Sequence, residues 1–171
     1  TLRPERIEVI GRGEIARQHL KAAPEDWESL EGMWVQIDAP LTLSGTDARF
    51  GETTASFDGR LWTPTEIAIP GSSEIKKVEA DNARRRLVLD DASTRRDPEH
   101  AWYLPAGGAR GGSIAAGVQG IVDQRHGQYR LQLTEPLDIT AATRPGAPKV
   151  DGSVKVAVFN LENLFNGDGQ G

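Results

Sequence analysis

Cysteine is missing from all 171 residues, which rules out disulfides, thiolate metal sites and cysteine nucleophiles within this stretch. It assigns no compartment, because secreted bacterial proteins without cysteine are common. No apolar run approaches the roughly 18 residues that a membrane-crossing helix needs, and no basic-then-apolar leader stands at the start. The chain opens on Thr1, which reads as a processed or cut piece, so the missing leader says nothing about export. Positive charge is in short supply as well: 20 basic against 25 acidic residues give a net charge of −5. A free-standing nonspecific nucleic-acid binder is usually basic, so such a role here needs a local basic patch. The three histidines, His19, His100 and His126, are scattered and offer neither H-x-H nor H-E-x-x-H spacing. There is no G-x-S-x-G nucleophile elbow and no calcium-loop signature. Asp90 and Asp91 are adjacent on a strand, so they point to opposite faces and make a poor catalytic pair.

What is present is the composition of one globular domain, 37 % hydrophobic and 26 % charged, long enough to bury a real core. RIEVIGRGEIARQHL, residues 6–20, reads as strand, G-x-G-x-x-A, helix, the outline of a dinucleotide turn. The acidic residue closing a second parallel strand about 20 positions on is absent; that region is APEDWESLEG. The alternative is an edge strand and a short helix or loop leading into the main domain. PEDWESLEG, residues 24–32, carries helix start and stop signals for one or two turns. In MWVQIDAPLTL, Met33, Val35 and Ile37 alternate against Trp34, Gln36 and Asp38, the period of a half-buried strand. Residues 49–65 read as a second strand or a hairpin, with Asp58-Gly59 as a turn.

Residues 71–85 form the longer helix candidate, capped by Ser72 or Ser73, with Ile75 and Val78 as its apolar stripe. It runs into a strand over 85–91 with Leu87 and Leu89 facing inward. A loop rich in Pro, Gly, Arg and aromatics covers 92–113. Residues 113–136 make the clearest hairpin: Val118 and Val122 alternate on one strand, Tyr129, Leu131 and Leu133 on the other, with Gly127 in the turn. The expected fold is mainly β: a small five-stranded Greek-key barrel of OB type with one or two short helices, the longer helix preceding the third strand. The expected organisation is an extension packing on the barrel over 1–32, the barrel over 33–139, a Pro/Gly-rich linker over 140–152 and a new strand beginning within 153–171.

Five stretches together carry a resemblance: WESLEGMWVQID (27–38), GRLWTPTEIAIPG (59–71), NARRRLVLDD (82–91), GVQGIVDQRHGQYRLQLTEP (117–136) and VAVFNLENLFNGDGQG (156–171). They resemble the accessory region and domain junction of ExeM/NucH-type extracellular nucleases of bacteria. There an OB-like domain precedes a catalytic domain of the endonuclease/exonuclease/phosphatase superfamily. The resemblance implies a noncatalytic accessory domain of a secreted, metal-dependent nuclease that hydrolyses phosphodiesters. VAVFNLENLF is similar to the first strand and loop of the catalytic fold. Asn160 then matches an asparagine of the metal- and phosphate-binding site, where an amide holds a phosphate oxygen or metal-bound water. The metal ligands and general base that complete such a site have no counterpart in this chain. No cofactor is therefore expected within the segment, and a divalent ion, Mg or Ca, is expected for the parent enzyme. The expected partners are DNA or RNA and the parent's own catalytic domain, with no membrane partner.

Candidate nucleic-acid contacts come from charge and aromatics. Between residues 84 and 110 lie six arginines against four acids, with Trp102 and Tyr103 interleaved. OB folds bind strands across their second and third strands with aromatic platforms in a basic groove. Arg60 and Trp62 on the second strand, Arg86 outward on the third, and Arg125 and Arg130 around the last hairpin are the residues placed to line such a face. The competing expectation makes Trp62 core and the arginines a solvated rim, in a purely structural packing module. Trp34 is open to either reading.

Overall fold

Alternation decides where the chain enters the sheet. In residues 34–37 Val35 and Ile37 are fully buried while Trp34 and Gln36 are half-exposed, the period-two pattern of a strand with one face in the core. A computed structural model of the chain describes residues 5–47 and 49–158. In chain order its elements are β1 Gln18–Leu20, a 3-10 turn Glu28–Leu30, β2 Trp34–Ile37, β3 Leu41–Asp47 and β4 Glu52–Ser56. The helices α1 Pro64–Ile67 and α2 Ser73–Arg85 follow, then β5 Arg86–Asp90, β6 Ile114–Ala116, β7 Val118–Arg125, β8 Gln128–Leu133 and β9 Asp138–Thr140. The strands form one curled, half-barrel sheet in the order β1-β2-β7-β8-β5-β4-β3-β6-β9.

The fold is mainly β, but the described residues hold nine strands rather than five. The excess has two sources. The strand expected at 33–43 breaks between Ile37 and Leu41, at Pro40, which has no N–H to give to a ladder. It then continues to Asp47 past a register shift between Leu43 and Gly45. Three-residue strands β1, β6 and β9 add the rest. α2 lies before β5 as expected. The hairpin turn falls between Asp47 and Glu52. Asp58 and Gly59, both at positive φ (55° and 89°), turn the chain instead into α1. Residues 6–17 form no regular element, and no helix follows Gly13. Pairing is mostly antiparallel, with β1·β2 and β5·β8 parallel, so the dinucleotide alternative finds no support. Residues 141–158 contain no helix or strand.

The core is built from the inward rows of these strands: Val35, Ile37, Leu41, Leu43, Ala55, Phe57, Leu87, Leu89, Val122 and Leu131. Trp27, from the segment preceding the sheet, closes one end with its ring 6.3 Å from Phe57. Tyr103 closes the core from the loop between β5 and β6 and is fully buried. Its hydroxyl donates to the Gly51 carbonyl at 2.5 Å, with Leu89 O at 3.2 Å and Thr53 Oγ1 at 2.9 Å, so burying this polar atom leaves it satisfied.

At Gly120 on β7 a Cβ would run into the backbone oxygen of Gln132 and lie 2.7 Å from Leu131 Cγ. Gly120→Ala should therefore lower the urea midpoint, by about 1–3 kcal/mol of stability. Gly45→Ala, where nothing lies within 4 Å of the added Cβ, should leave the midpoint nearly unchanged.

Candidate nucleic-acid interface

The site begins at the end of α2, where three consecutive arginines meet different fates. Arg84 Nη2 donates to Asp81 Oδ1 at 2.9 Å, and Arg85 Nε donates to Asp81 Oδ2 at 2.6 Å. These hydrogen bonds, Arg84's foremost, hold the Asp81 carboxyl below the ordinary carboxylate range. Arg85 is buried, and its Nη1 also reaches the carbonyls of Phe57 (2.9 Å), Asp58 (3.2 Å) and Gly59 (3.3 Å). It thereby pins the helix to the turn that opens the insertion. Arg86, one step on, begins β5 and points outward. It is exposed and makes no side-chain hydrogen bond or ion pair among the described residues.

Arg86 stands between two cavities. The larger, about 830 Å³, lies between the outer side of β3–β4 and the helical insertion, lined by Asp47, Thr54, Trp62, Glu79, Asn82 and Arg86 among others. Asn82 Nδ2 donates to the Trp62 carbonyl at 2.7 Å and fixes that loop against α2. Trp62 is 39 % exposed, so it is a wall of the groove and not part of the core. The Arg60 guanidinium sits 3.7 Å over its ring, a cation–π contact, and reaches Glu66 at 3.4 Å. Glu66 in turn accepts from the Thr63 N–H at 3.0 Å and caps α1. The second cavity, about 300 Å³, is lined by Trp27, Val88, Gln128 and Tyr129, and shares Ala83 and Arg86 with the first.

Trp62 and Arg86 thus meet at one groove, while Arg60, stacked on the Trp62 ring, lines a neighbouring hollow with Leu43, Ser44 and Gly111. Arg125 and Arg130 do not join them: they line a separate, smaller hollow of about 130 Å³ with Phe50, Glu52, Asp90 and Ser93. Arg125 is exposed and pairs with Asp123 at 2.6 Å. Arg130 is 4 % exposed. Its Nη1 donates to Glu52 Oε1 and Asp90 Oδ2, both at 2.6 Å. Burial alone would lower its pKa, but the bonds to Asp90 and Glu52 outweigh that and raise it above the ordinary arginine value. Arg130 is therefore committed to cross-linking strands. Gln132 Nε2 extends the cluster to Asp90 (3.3 Å) and Asp123 (3.0 Å).

Trp34 is half-buried under the Arg17 guanidinium, 4.9 Å from its ring, so a segment ahead of the sheet covers it. Asn160 lies outside the described residues. Among the described residues no helix is long and apolar enough to cross a membrane, and no three His, Asp or Glu side chains are grouped to hold a metal. Sequence reasoning did not name Trp27, Gln128 or Tyr129 as site residues. Their proximity follows from the pairing of β8 beside β5 and the return of residue 27 to the barrel end, neither of which leaves a local signal.

Residues 15–143 match the family described as Domain of unknown function (DUF8508). The chain belongs to this family. No curated protein and no solved structure matches it. The matched span includes every strand of the sheet and all the residues around these cavities.

Two outcomes follow. Arg130→Ala leaves Asp90, 2 % exposed, as an uncompensated buried charge and should cost about 3–5 kcal/mol in chemical denaturation. Arg125→Ala removes a half-exposed pair and should cost under about 1 kcal/mol. The second concerns Tyr129, whose hydroxyl donates to Glu28 Oε2 at 2.6 Å. That bond, with burial and the acidic neighbours, pushes its phenol up to about 12. The raised value means that Tyr129's contribution to stability is complete below the ordinary tyrosine value of about 10. It is lost as pH climbs from there through about 12. Ultraviolet titration of the phenolates should show neither of the two tyrosines ionising at its ordinary value. Glu28→Ala should bring one of them down toward about 10.

Proposed function

We propose that the chain carries a noncatalytic, OB-type accessory domain that binds nucleic acid for a secreted, metal-dependent nuclease. Strand pairing supports the OB reading. A five-stranded Greek-key barrel of this type has a first strand that pairs with both the second and the fourth, and a third strand parallel to the fifth. Here β2 and β3 are consecutive halves of one broken strand; β2 pairs with β7 and β3 with β4, while β5 runs parallel to β8. With β2–β3, β4, β5, β7 and β8 taken as strands one to five, the outer side of strands two and three carries Thr54 and Arg86. That is the face on which OB folds hold strands.

The single observation that carries the binding role is Arg86. It is the one predicted cation left without a carboxylate, and it stands at the edge of a groove whose other wall is the exposed Trp62. An uncommitted guanidinium beside an aromatic face is what a phosphate and its base require. The parent reaction, phosphodiester hydrolysis with a divalent ion (Mg or Ca), and the part of Asn160 in it follow from the resemblance of residues 156–171. Asp47, Glu66 and Glu79 around the groove favour a second reading, a packing module whose groove seats the parent's catalytic domain and no nucleic acid.

A salt titration of labelled single- and double-stranded DNA separates the two. On the binding reading, log affinity falls linearly with log salt, by about 0.7 per phosphate for a single strand. Arg86→Ala lowers that single-strand slope by one phosphate's share, about 0.7, and Trp62→Ala weakens binding by about 1–3 kcal/mol. Absence of binding at low salt would leave the packing module.

A further inference from the structure

We infer that the smaller cavity beside Arg86 is a slot for one unstacked nucleobase, and that the domain therefore engages single strands in preference to duplex. This rests on the nucleic-acid reading above and names the form of the substrate. The slot shares two of its walls, Ala83 and Arg86, with the main groove, so a strand lying in the groove reaches it without leaving the surface. Its floor is aromatic. The Trp27 indole is 9 % exposed, and the Tyr129 ring stacks on it at 6.4 Å with 24° between the planes. Val88 completes an apolar side.

The polar groups are few and placed at the rim. The Gln128 amide is exposed and makes no side-chain hydrogen bond among the described residues, so both its donor and its acceptor are available to a base edge. Arg86, equally uncommitted, stands at the mouth. The Tyr129 hydroxyl is already spent on Glu28, so its ring contributes a face and no further polar contact. A slot with an aromatic floor, one amide and one guanidinium suits a planar heteroaromatic ring that carries hydrogen-bonding atoms on its edge and a phosphate behind it. At about 300 Å³ it sits at the lower bound of small-ligand pockets, roughly 300 Å³. A base paired in a duplex has its face stacked and its edge occupied. It enters such a slot only if extruded, whereas a base of a single strand is splayed into it at little cost.

The test compares labelled strands by fluorescence anisotropy at one fixed salt concentration. The probes are an intact single strand, the same backbone with its bases removed, and the duplex, with adenosine monophosphate as competitor. The intact strand should bind at least about tenfold more tightly than the base-free backbone, and more tightly than the duplex. Trp62 also offers a stacking face, so two substitutions at one exposed position that lines the slot and not the groove isolate it. Gln128→Ala removes the amide and Gln128→Trp fills the slot from its rim. Each should weaken the intact strand several-fold and leave the base-free backbone unmoved.

An intact-strand affinity that both variants retain overturns the slot, while Arg86-dependent, salt-sensitive binding would still uphold the groove. Equal binding of duplex and single strand overturns the single-strand preference and the slot with it. Adenosine monophosphate binding as tightly as the strand reassigns the cavity to free nucleotides and overturns the inference. Failure of every probe to bind overturns both this inference and the reading beneath it.

Discussion

Arg130 is the side chain on which the middle of the sheet depends. It projects from the outer side of β8 and reaches Asp90 on β5 and Glu52 on β4, so one guanidinium ties three neighbouring strands. Strands β5 and β8 are parallel and far apart along the chain, and no short turn sets their register. A charge-assisted contact that only one register satisfies does so instead. Because the cluster is buried, a slip by one residue would strand a carboxylate in a low-dielectric site.

That commitment shapes the surface elsewhere. Charge counted along the sequence makes the region around the last hairpin look basic. In space, Arg125 and Arg130 are matched by Asp123, Asp90 and Glu52. Arg84 and Arg85 are matched by Asp81. Local pairing thus takes up Arg84, Arg85, Arg125 and Arg130 and leaves Arg86 without a carboxylate at the border of two cavities. An acidic domain can offer an anion a contact by this arrangement, since an unpaired guanidinium beside an aromatic wall acts locally.

Much of this was legible in residues alone. Period-two alternation located β2, β5, β7 and β8, and the Gly127 turn and the helix before β5 came from punctuation and apolar spacing. Alternation also put Leu87 and Leu89 inward and Arg86 outward. Arg60 and Trp62, expected on the second strand, lie instead in the loop between β4 and α1, which sets Trp62 across the groove from Arg86. What stayed hidden was non-local. Tyr103 sits in a Gly/Pro-rich loop with no period, so nothing marks it as core until the carbonyls of Gly51 and Leu89 gather round its hydroxyl. Arg130 lies on the outward row of its strand, where solvent is the default expectation; its burial follows from partners 40 and 78 positions away. The three-residue strands β1, β6 and β9 are too short for any pattern and exist because longer neighbours offer them an edge. Trp27 reads as part of a short helix, and its role as a plug appears only once the barrel end is built.

The anchoring of Arg85 has a consequence for how such a domain diverges. Its guanidinium, at the end of α2, is bonded to the carbonyls of residues 57–59 at the start of the insertion. Entrance and exit of the whole excursion between β4 and β5 are therefore held side by side by one residue of the excursion itself. The entropy of closing a loop grows only with the logarithm of its length. Once the ends are clasped, residues added or removed between them change the barrel little. The groove wall containing Trp62 belongs to that excursion, whereas Thr54 and Arg86 belong to the sheet. Such a clasp lets the opposite wall be lengthened, shortened or recast while the sheet side of the groove stays as it is.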